Sequence, residues 1–142
     1  MEIIKFTYLK LILISFLILT SFTFYNCSGY TPEFSNNRTK LNSQLQTMIN
    51  VLNGAHYSQF IQEYVDPGYI SKAGGLDQVV LSFNNEKQRQ IFAALKAAQN
   101  IDPVSNSKGT VMTYSGGALP VAVMFRQVNN KWYLTGDWLE YN

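Results

Sequence analysis

The stretch that decides the fold is VAVMFRQVNNKWYLTGDW, residues 121–138. Apolar and polar residues alternate over Val121–Val128 and again over Lys131–Trp138, which is typical of two half-buried strands. Asn129 and Asn130 lie between the strands, and asparagine tolerates the positive φ angles that a two-residue hairpin turn requires. The sequence therefore predicts a β-hairpin in which residue 128 lies opposite residue 131.

This register divides the hairpin into two faces, because successive side chains of a strand point to opposite sides of the sheet. The predicted core face carries Val121, Val123, Phe125, Trp132, Leu134 and Trp138, with Gln127 near the turn. The opposite face carries Ala122, Met124, Arg126, Tyr133, Thr135 and Asp137.

The second face is less polar than a solvated sheet face usually is. Met124, Arg126 and Tyr133 make it a candidate interface, since Met, Arg and aromatic residues are enriched where proteins meet. Arg126 opposite Tyr133 also predicts a cross-strand cation–π pair. The alternative is an ordinary surface sheet with scattered apolar residues.

The chain before residue 101 has helical periodicity instead. A first helix is predicted by the spacing of Leu41, Leu45, Met48, Ile49 and Leu52. A second helix is predicted by Tyr57, Phe60, Ile61 and Tyr64, and Asp66-Pro67-Gly68 ends it. Tyr69–Phe83, broken by Gly74-Gly75, is ambiguous, and Asn84 caps a third helix. With a further strand over Gly109–Tyr114, the predicted fold class is α+β, with N-terminal helices packed on a curved antiparallel sheet.

The N-terminal residues have the organisation of an export signal. Lys5 and Lys10 flank the start of the apolar run Leu11–Leu19, which is shorter than the roughly 20 residues of a membrane-spanning helix. The only cysteine, Cys27, follows this run, and the arrangement resembles the lipobox of bacterial lipoproteins, whose cysteine is lipidated and becomes the new N-terminus. Residues 24–26 are bulkier than the common lipobox, and an uncleaved signal anchor is the alternative.

The predicted organisation is a signal peptide over residues 1–26, a lipidated tether over 27–40 and one domain over 41–142. Lipidation would explain an odd cysteine in an exported protein, and two or more acyl chains hold a protein firmly on a bilayer. Ser28 stands where the lipoprotein resemblance places an inner-membrane retention signal, Asp, so the outer membrane is favoured.

Composition excludes several classes of function. Residues 27–142 carry nine Lys and Arg against eight Asp and Glu, a balance that does not favour nucleic acid as a partner. With one cysteine and one histidine, the chain has no intramolecular disulfide and no zinc-ligand set. We expect no metal and no cofactor.

The order of helix, helix, glycine break, helix and antiparallel sheet resembles the NTF2-like superfamily, the cystatin-like α+β cones. The resemblance spans residues 41–138 and includes GAHYSQF at 54–60, KQRQI at 87–91 and NKWYL at 130–134. It implies a cone-shaped pocket whose aromatic side chains grip an apolar ligand. The pocket candidates are Tyr57, Phe60, Tyr64, Tyr69, Phe92, Tyr114, Phe125 and Trp132. Alternatively, the same side chains fill the cone as core.

Isomerases and cyclases of this superfamily place an acid–base residue in the cone. His56 is the candidate base here, but its position predicts a partly exposed residue at a helix start, and Asp66 and Asp102 precede prolines as turn residues. We therefore expect a non-enzymatic cell-envelope lipoprotein, anchored to a membrane through Cys27. Its domain would bind a small apolar ligand or a protein partner, either another envelope protein or a second copy. The alternatives are an isomerase- or cyclase-like enzyme and a structural protein that uses the Met124 and Tyr133 face.

Overall fold

The longest element of the fold is helix α1, Pro32–Asn53, in a computed structural model that describes residues 32–140. The predicted signal peptide and Cys27 lie outside the described residues. Helix α1 begins at Pro32 and therefore includes residues 32–40, which the predicted organisation places in the tether. Proline fits the first turn of a helix, and Phe34 and Asn37 extend the buried stripe that continues at Leu41.

Four further helices follow before the sheet: α2 Tyr57–Tyr64, α3 Pro67–Lys72, α4 Leu76–Ser82 and α5 Asn85–Ala98. Helices α3 and α4 occupy the segment that was ambiguous in the sequence, and Gly74 and Gly75 separate them with φ angles of 93° and 103°. The predicted cap of α5 is confirmed, since the Asn84 side chain accepts a hydrogen bond from the amide of Lys87 at 3.0 Å.

The strands are β1 Val104–Ser105, β2 Val111–Tyr114, β3 Val123–Val128 and β4 Lys131–Leu134, followed by a short helix α6, Asp137–Glu140. They form one open antiparallel sheet in the order β1-β2-β3-β4. The predicted hairpin register is confirmed, with Val128 opposite Lys131 and positive φ at Asn129 and Asn130. The α+β class is therefore correct.

Both hairpin strands are shorter than predicted. Strand β3 starts at Val123 rather than at Val121, and β4 ends at Leu134 rather than at Trp138. The chain then passes through Gly136, which is buried beneath the ring of Tyr69, into helix α6. No side chain of ordinary size fits under that ring, so the path of the chain there depends on glycine.

Helices and the inner face of the sheet share one hydrophobic core. Phe83, directly after α4, links several parts of it: its ring is edge-on to Tyr57 at 5.8 Å and to Trp138 at 5.4 Å, and stacks on Phe60 at 6.0 Å. Trp138 thus reaches the core as predicted, although from a helix and not from a strand. Such ring pairs add to the free energy of burial.

Strand β4 lies at one edge of the sheet, and its outward backbone groups are satisfied by neighbours outside the sheet. The side-chain amide of Gln44 in α1 donates to the carbonyl of Trp132, while the amide of Trp132 donates to Gln44 Oε1 at 3.2 Å. Further along, the amide of Asp66 donates to the carbonyl of Leu134 at 2.9 Å. A glutamine side chain therefore replaces the neighbouring strand, and the edge is closed to further pairing.

Replacement of Gln44 by alanine is expected to lower the free energy of unfolding by about 1–3 kcal/mol, because both backbone groups of Trp132 lose their partners. Gln44→Glu should lose at least as much, since its carboxylate still accepts from the Trp132 amide but places a charged oxygen, and no donor, against the Trp132 carbonyl. Denaturant unfolding followed by tryptophan fluorescence measures the change. Gln46→Ala is the control, because the exposed Gln46 side chain is hydrogen-bonded to the side chains of Asn50 and Gln99 and not to the sheet. Equal losses of unfolding free energy for Gln44→Ala and Gln46→Ala would contradict the role of Gln44.

Candidate functional site

The outer face of the sheet is the first candidate surface. The strand pairing places on it Val104, Val111, Thr113, Met124, Arg126, Val128, Lys131 and Tyr133. Val104 is 71% exposed and Val128 is 40% exposed, while Met124 and Tyr133 are half-buried. The three interface candidates from the sequence, Met124, Arg126 and Tyr133, therefore share one face that remains accessible.

Arg126 contacts Asp66 rather than the ring of Tyr133, which corrects the predicted cation–π pair. The guanidinium of Arg126 forms an ion pair with Asp66 Oδ2. Asp66 is only 7% exposed, and its Oδ1 accepts a hydrogen bond from the amide of Gly68 at 2.7 Å at the start of α3. A carboxylate that is already fixed in place is a stronger partner for guanidinium than a neighbouring ring is.

The cation that does lie over Tyr133 is Lys131. Its ammonium nitrogen is 5.3 Å from the ring centre of Tyr133 and 5.5 Å from that of Tyr64. Both distances are within the range of a cation–π contact. The outer face thus combines apolar side chains with a lysine held between two rings.

A cleft of about 420 Å³ opens where helices α3 and α6 meet the outer face, and we call it the sheet-face cleft. Tyr69 and Met124 contribute apolar surface to it. Its charged lining has both signs: Lys72, Arg126, Asp66, Asp137 and Glu140. Burial, followed by the nearby carboxylates of Glu140 and Asp137, raises the pKa of Tyr69 above its ordinary value.

A second cleft, of about 560 Å³, lies between helices, and we call it the helical cleft. The end of α1 contributes Leu52 and Asn53, and the start of α2 contributes Tyr57. The remaining wall is one stripe of α5: Asn85, Gln88, Arg89 and Phe92. Its volume is in the range of small-molecule sites.

The aromatic pocket candidates are not brought together around one cavity. Phe60, Tyr64, Tyr114, Phe125 and Trp132 are buried in the core. Tyr57 and Phe92 line the helical cleft, and Tyr69 lines the sheet-face cleft. The inner face is therefore occupied by aromatic side chains that pack on their neighbours, as in the edge-on contact of Tyr114 and Phe125 at 6.0 Å.

Tyr114 is buried without a hydrogen-bond partner for its hydroxyl among residues 32–140. Burial raises the pKa of Tyr114 to about 12, against a smaller lowering by the guanidinium of Arg38. Because ionisation of the phenol is suppressed in the folded chain, the neutral side chain belongs to the core.

The acid–base candidates lie apart from one another. His56 is exposed at the start of α2 and makes no capping bond with its side chain. Asp77 is exposed in the first turn of α4, and Asp102 is paired with Arg38. Of the acids, Asp66 is buried, and both of its carboxylate oxygens are already engaged.

Within residues 32–140, no group of three or more His, Cys, Asp or Glu side chains is placed to hold a metal ion. Over the same residues, no helix combines the length and the apolar character needed to cross a bilayer. Cys27, the predicted lipidation site, lies outside this part of the chain.

Comparison with known proteins found no matching family model, no matching curated protein and no matching solved structure.

Two features of these sites were not predicted from the sequence: the pairing of Arg126 with Asp66 and the stripe of α5 that lines the helical cleft. Asn85, Gln88, Arg89 and Phe92 follow the i, i+3, i+4, i+7 spacing of one helix face, so the stripe was visible in the sequence. Its location beside Tyr57 was not, because helix packing sets that contact.

The ring of Tyr69 and the backbone of Gly136 are expected to be tightly coupled. A Cβ atom at residue 136 would lie 1.9 Å from Tyr69 Cδ2, so Gly136→Ala must displace the ring and should lower the free energy of unfolding by about 1–3 kcal/mol. When Tyr69 is also replaced by alanine, Gly136→Ala should lower the free energy of unfolding by clearly less. A double-mutant cycle measures this difference. Gly117→Ala, with open space around its Cβ, is the control; additive losses at 69 and 136 would refute the coupling.

Alkaline pH should destabilise the protein through Tyr114. The pKa of Tyr114 in the folded protein, about 12, exceeds the ordinary value of 10.0. The contribution of the neutral phenol to the free energy of unfolding is therefore complete below pH 10 and is lost as the pH rises towards 12. The difference corresponds to about 3 kcal/mol. Denaturant unfolding between pH 7 and 12 should show a smaller alkaline loss for Tyr114→Phe, which should also be no less stable at pH 7. An identical alkaline loss in both proteins would be inconsistent with this assignment.

Proposed function

We propose that this chain is a non-enzymatic bacterial envelope lipoprotein, anchored through Cys27, whose domain binds a protein partner through the outer face of its sheet. The observation that carries the proposal is the accessibility of that face. Val104 on β1 and Val128 on β3 are 71% and 40% exposed on it, and the half-buried side chains of Met124 on β3 and Tyr133 on β4 lie on the same face.

The composition of the face favours a protein surface as its partner. Apolar side chains of three strands alternate with Arg126 and Lys131, and Met, Arg and aromatic residues are the types enriched at interfaces. Arg126 and Lys131 are held by Asp66 and by two tyrosine rings. Because these long side chains are already ordered, they would lose less conformational entropy when a partner binds.

The packing of the inner face argues against an apolar ligand within the cone. Phe60, Tyr114 and Phe125 are fully buried, and Trp132 is 1% exposed. A ligand there would have to displace aromatic core side chains, each of which contributes several kcal/mol to folding. The isomerase-like alternative meets the same obstacle, since His56 is exposed and Asp66 faces the opposite side of the sheet with Arg126.

An NTF2-like architecture is part of this proposal. It is supported by the order of helices followed by an antiparallel sheet, and by Val65, which forms a parallel bridge to Leu134 after helix α2. In this view the cone has a filled interior, and binding occurs on its outer face.

The short connection to the anchor is also consistent with a partner in the envelope. Cys27 precedes Pro32 by five residues, so the chain between them spans at most about 18 Å. A lipidated Cys27 would therefore confine the domain, and any partner that it binds, to the immediate vicinity of the membrane.

A photo-crosslinking amino acid at residue 133 tests the proposal in the cells that make this protein. We expect an adduct of discrete mass at Tyr133, and none at Gln59, an exposed position on helix α2. Val128→Glu should remove the adduct without a change in the unfolding midpoint, because the charge is added to an exposed part of the outer face. Equal crosslinking at residues 59 and 133, or an adduct that survives Val128→Glu, would contradict the proposed surface.

A further inference from the structure

The helical cleft has a polarity that the sheet-face cleft lacks. Along α5 its wall changes from amide and guanidinium groups at Asn85, Gln88 and Arg89 to the ring of Phe92. Asn85 and Phe92 are separated by about 10 Å along the helix axis at 1.5 Å per residue. Along α5 the lining therefore changes from polar to apolar, and α1 and α2 add Leu52, Asn53 and Tyr57 to it.

The apolar side chains of the cleft are already held in place. The ring of Tyr57 is fixed edge-on against Phe83 at 5.8 Å and an interplanar angle of 83°. The ring of Phe92 lies under the ammonium group of Lys96 at 5.2 Å. Leu52, which is 5% exposed, completes this apolar surface. Rings that are ordered before binding lose little entropy when a ligand packs on them.

The lining of the cleft carries one charged group, the guanidinium of Arg89. One of its amino groups contacts Glu86, on an exposed part of the helix where such pairs contribute little. A guanidinium has five N–H donors, so others remain for a ligand. The N-terminal end of α5 adds a partial positive charge.

Three amide side chains complete the polar part of the lining. Asn53 and Asn85 are exposed, and their side chains make no hydrogen bond within residues 32–140. The amino group of Gln88 donates to the carbonyl of Phe83 at 2.7 Å. Its orientation is therefore fixed, and its own carbonyl oxygen remains as an acceptor.

From these features we infer that the helical cleft is a binding site for a small amphiphile that has an apolar or aromatic body and one carboxylate. The body would pack on Tyr57 and Phe92, and the carboxylate would accept hydrogen bonds from Arg89. The site lies on the helices and shares no lining residue with the sheet-face cleft, so it does not depend on the proposed protein partner.

Three probes of one shape test the inference: 4-phenylbutanoate, 4-phenylbutan-1-ol and 4-phenylbutylamine. Binding to the full-length protein in lipid nanodiscs is measured by ligand-observed NMR, with empty nanodiscs as the blank. We expect the carboxylate to bind most tightly and the amine most weakly. Raising the ionic strength should weaken the binding of the carboxylate and leave the binding of the alcohol unchanged, because salt screens the charge of the solvent-exposed guanidinium.

Variants of α5 then separate the charge from the apolar surface. Arg89→Gln should lower the affinity for the carboxylate probe about tenfold and change the affinity for the alcohol probe by less than about twofold. Glu86→Gln should raise the affinity for the carboxylate probe, because it removes the side chain that competes for Arg89. Lys40→Gln, which removes an exposed cation of helix α1 outside the cleft lining, is the matched control, and Tyr57→Leu should weaken the binding of all three probes.

Two results would overturn the inference. The first is binding that does not saturate above the nanodisc blank. The second is equal affinity for the three probes together with an unchanged carboxylate affinity in Arg89→Gln. Crosslinking at residue 133 should be the same in Arg89→Gln and in the unmodified protein, so that failure of this site and failure of the sheet-face proposal are distinguishable.

Discussion

The pairing of the Gln44 carboxamide with the backbone of Trp132 is the constraint on which the rest of the arrangement depends. An edge strand carries backbone donors and acceptors that need partners. Here helix α1 supplies them through one side chain, and the amide of Asp66 supplies another at Leu134. The helices are thereby attached to the inner face and the β4 edge, and the outer face stays accessible.

This arrangement separates stability from binding. Aromatic side chains fill the inner face so completely that the hydroxyl of Tyr114 and the ring nitrogens of Trp132 and Trp138 are buried without partners among residues 32–140. The unsatisfied groups each cost free energy, which the burial of large rings offsets. The two surfaces proposed for binding therefore lie outside the core: the outer face of the sheet, beside a cleft with charges of both signs, and the helical cleft, whose lining includes one cation.

The predictions that succeeded depend on local chemistry. Asn129 and Asn130 adopt the positive φ angles that their hairpin requires, and this alone sets the register and the two faces. Asn84 caps α5 because its side chain needs only the amide of Lys87, three residues away. The helical stripe beginning at Leu41 was likewise evident, whereas Phe34 and Asn37 were missed because a polar sequence obscured their periodicity.

By itself, the sequence determined the α+β class, the hairpin register and the placement of Met124, Arg126 and Tyr133 on one face, since periodicity and turn chemistry act over a few residues. Only the tertiary structure decided that Asp66, 60 residues from Arg126, is its partner and that Gln44 closes the β4 edge. It also decided which aromatic residues fill the core and which line a cleft. These outcomes depend on contacts between segments that are distant in sequence. An aromatic residue is equally suited to the core and to the wall of a cleft, so residue type alone does not decide between them.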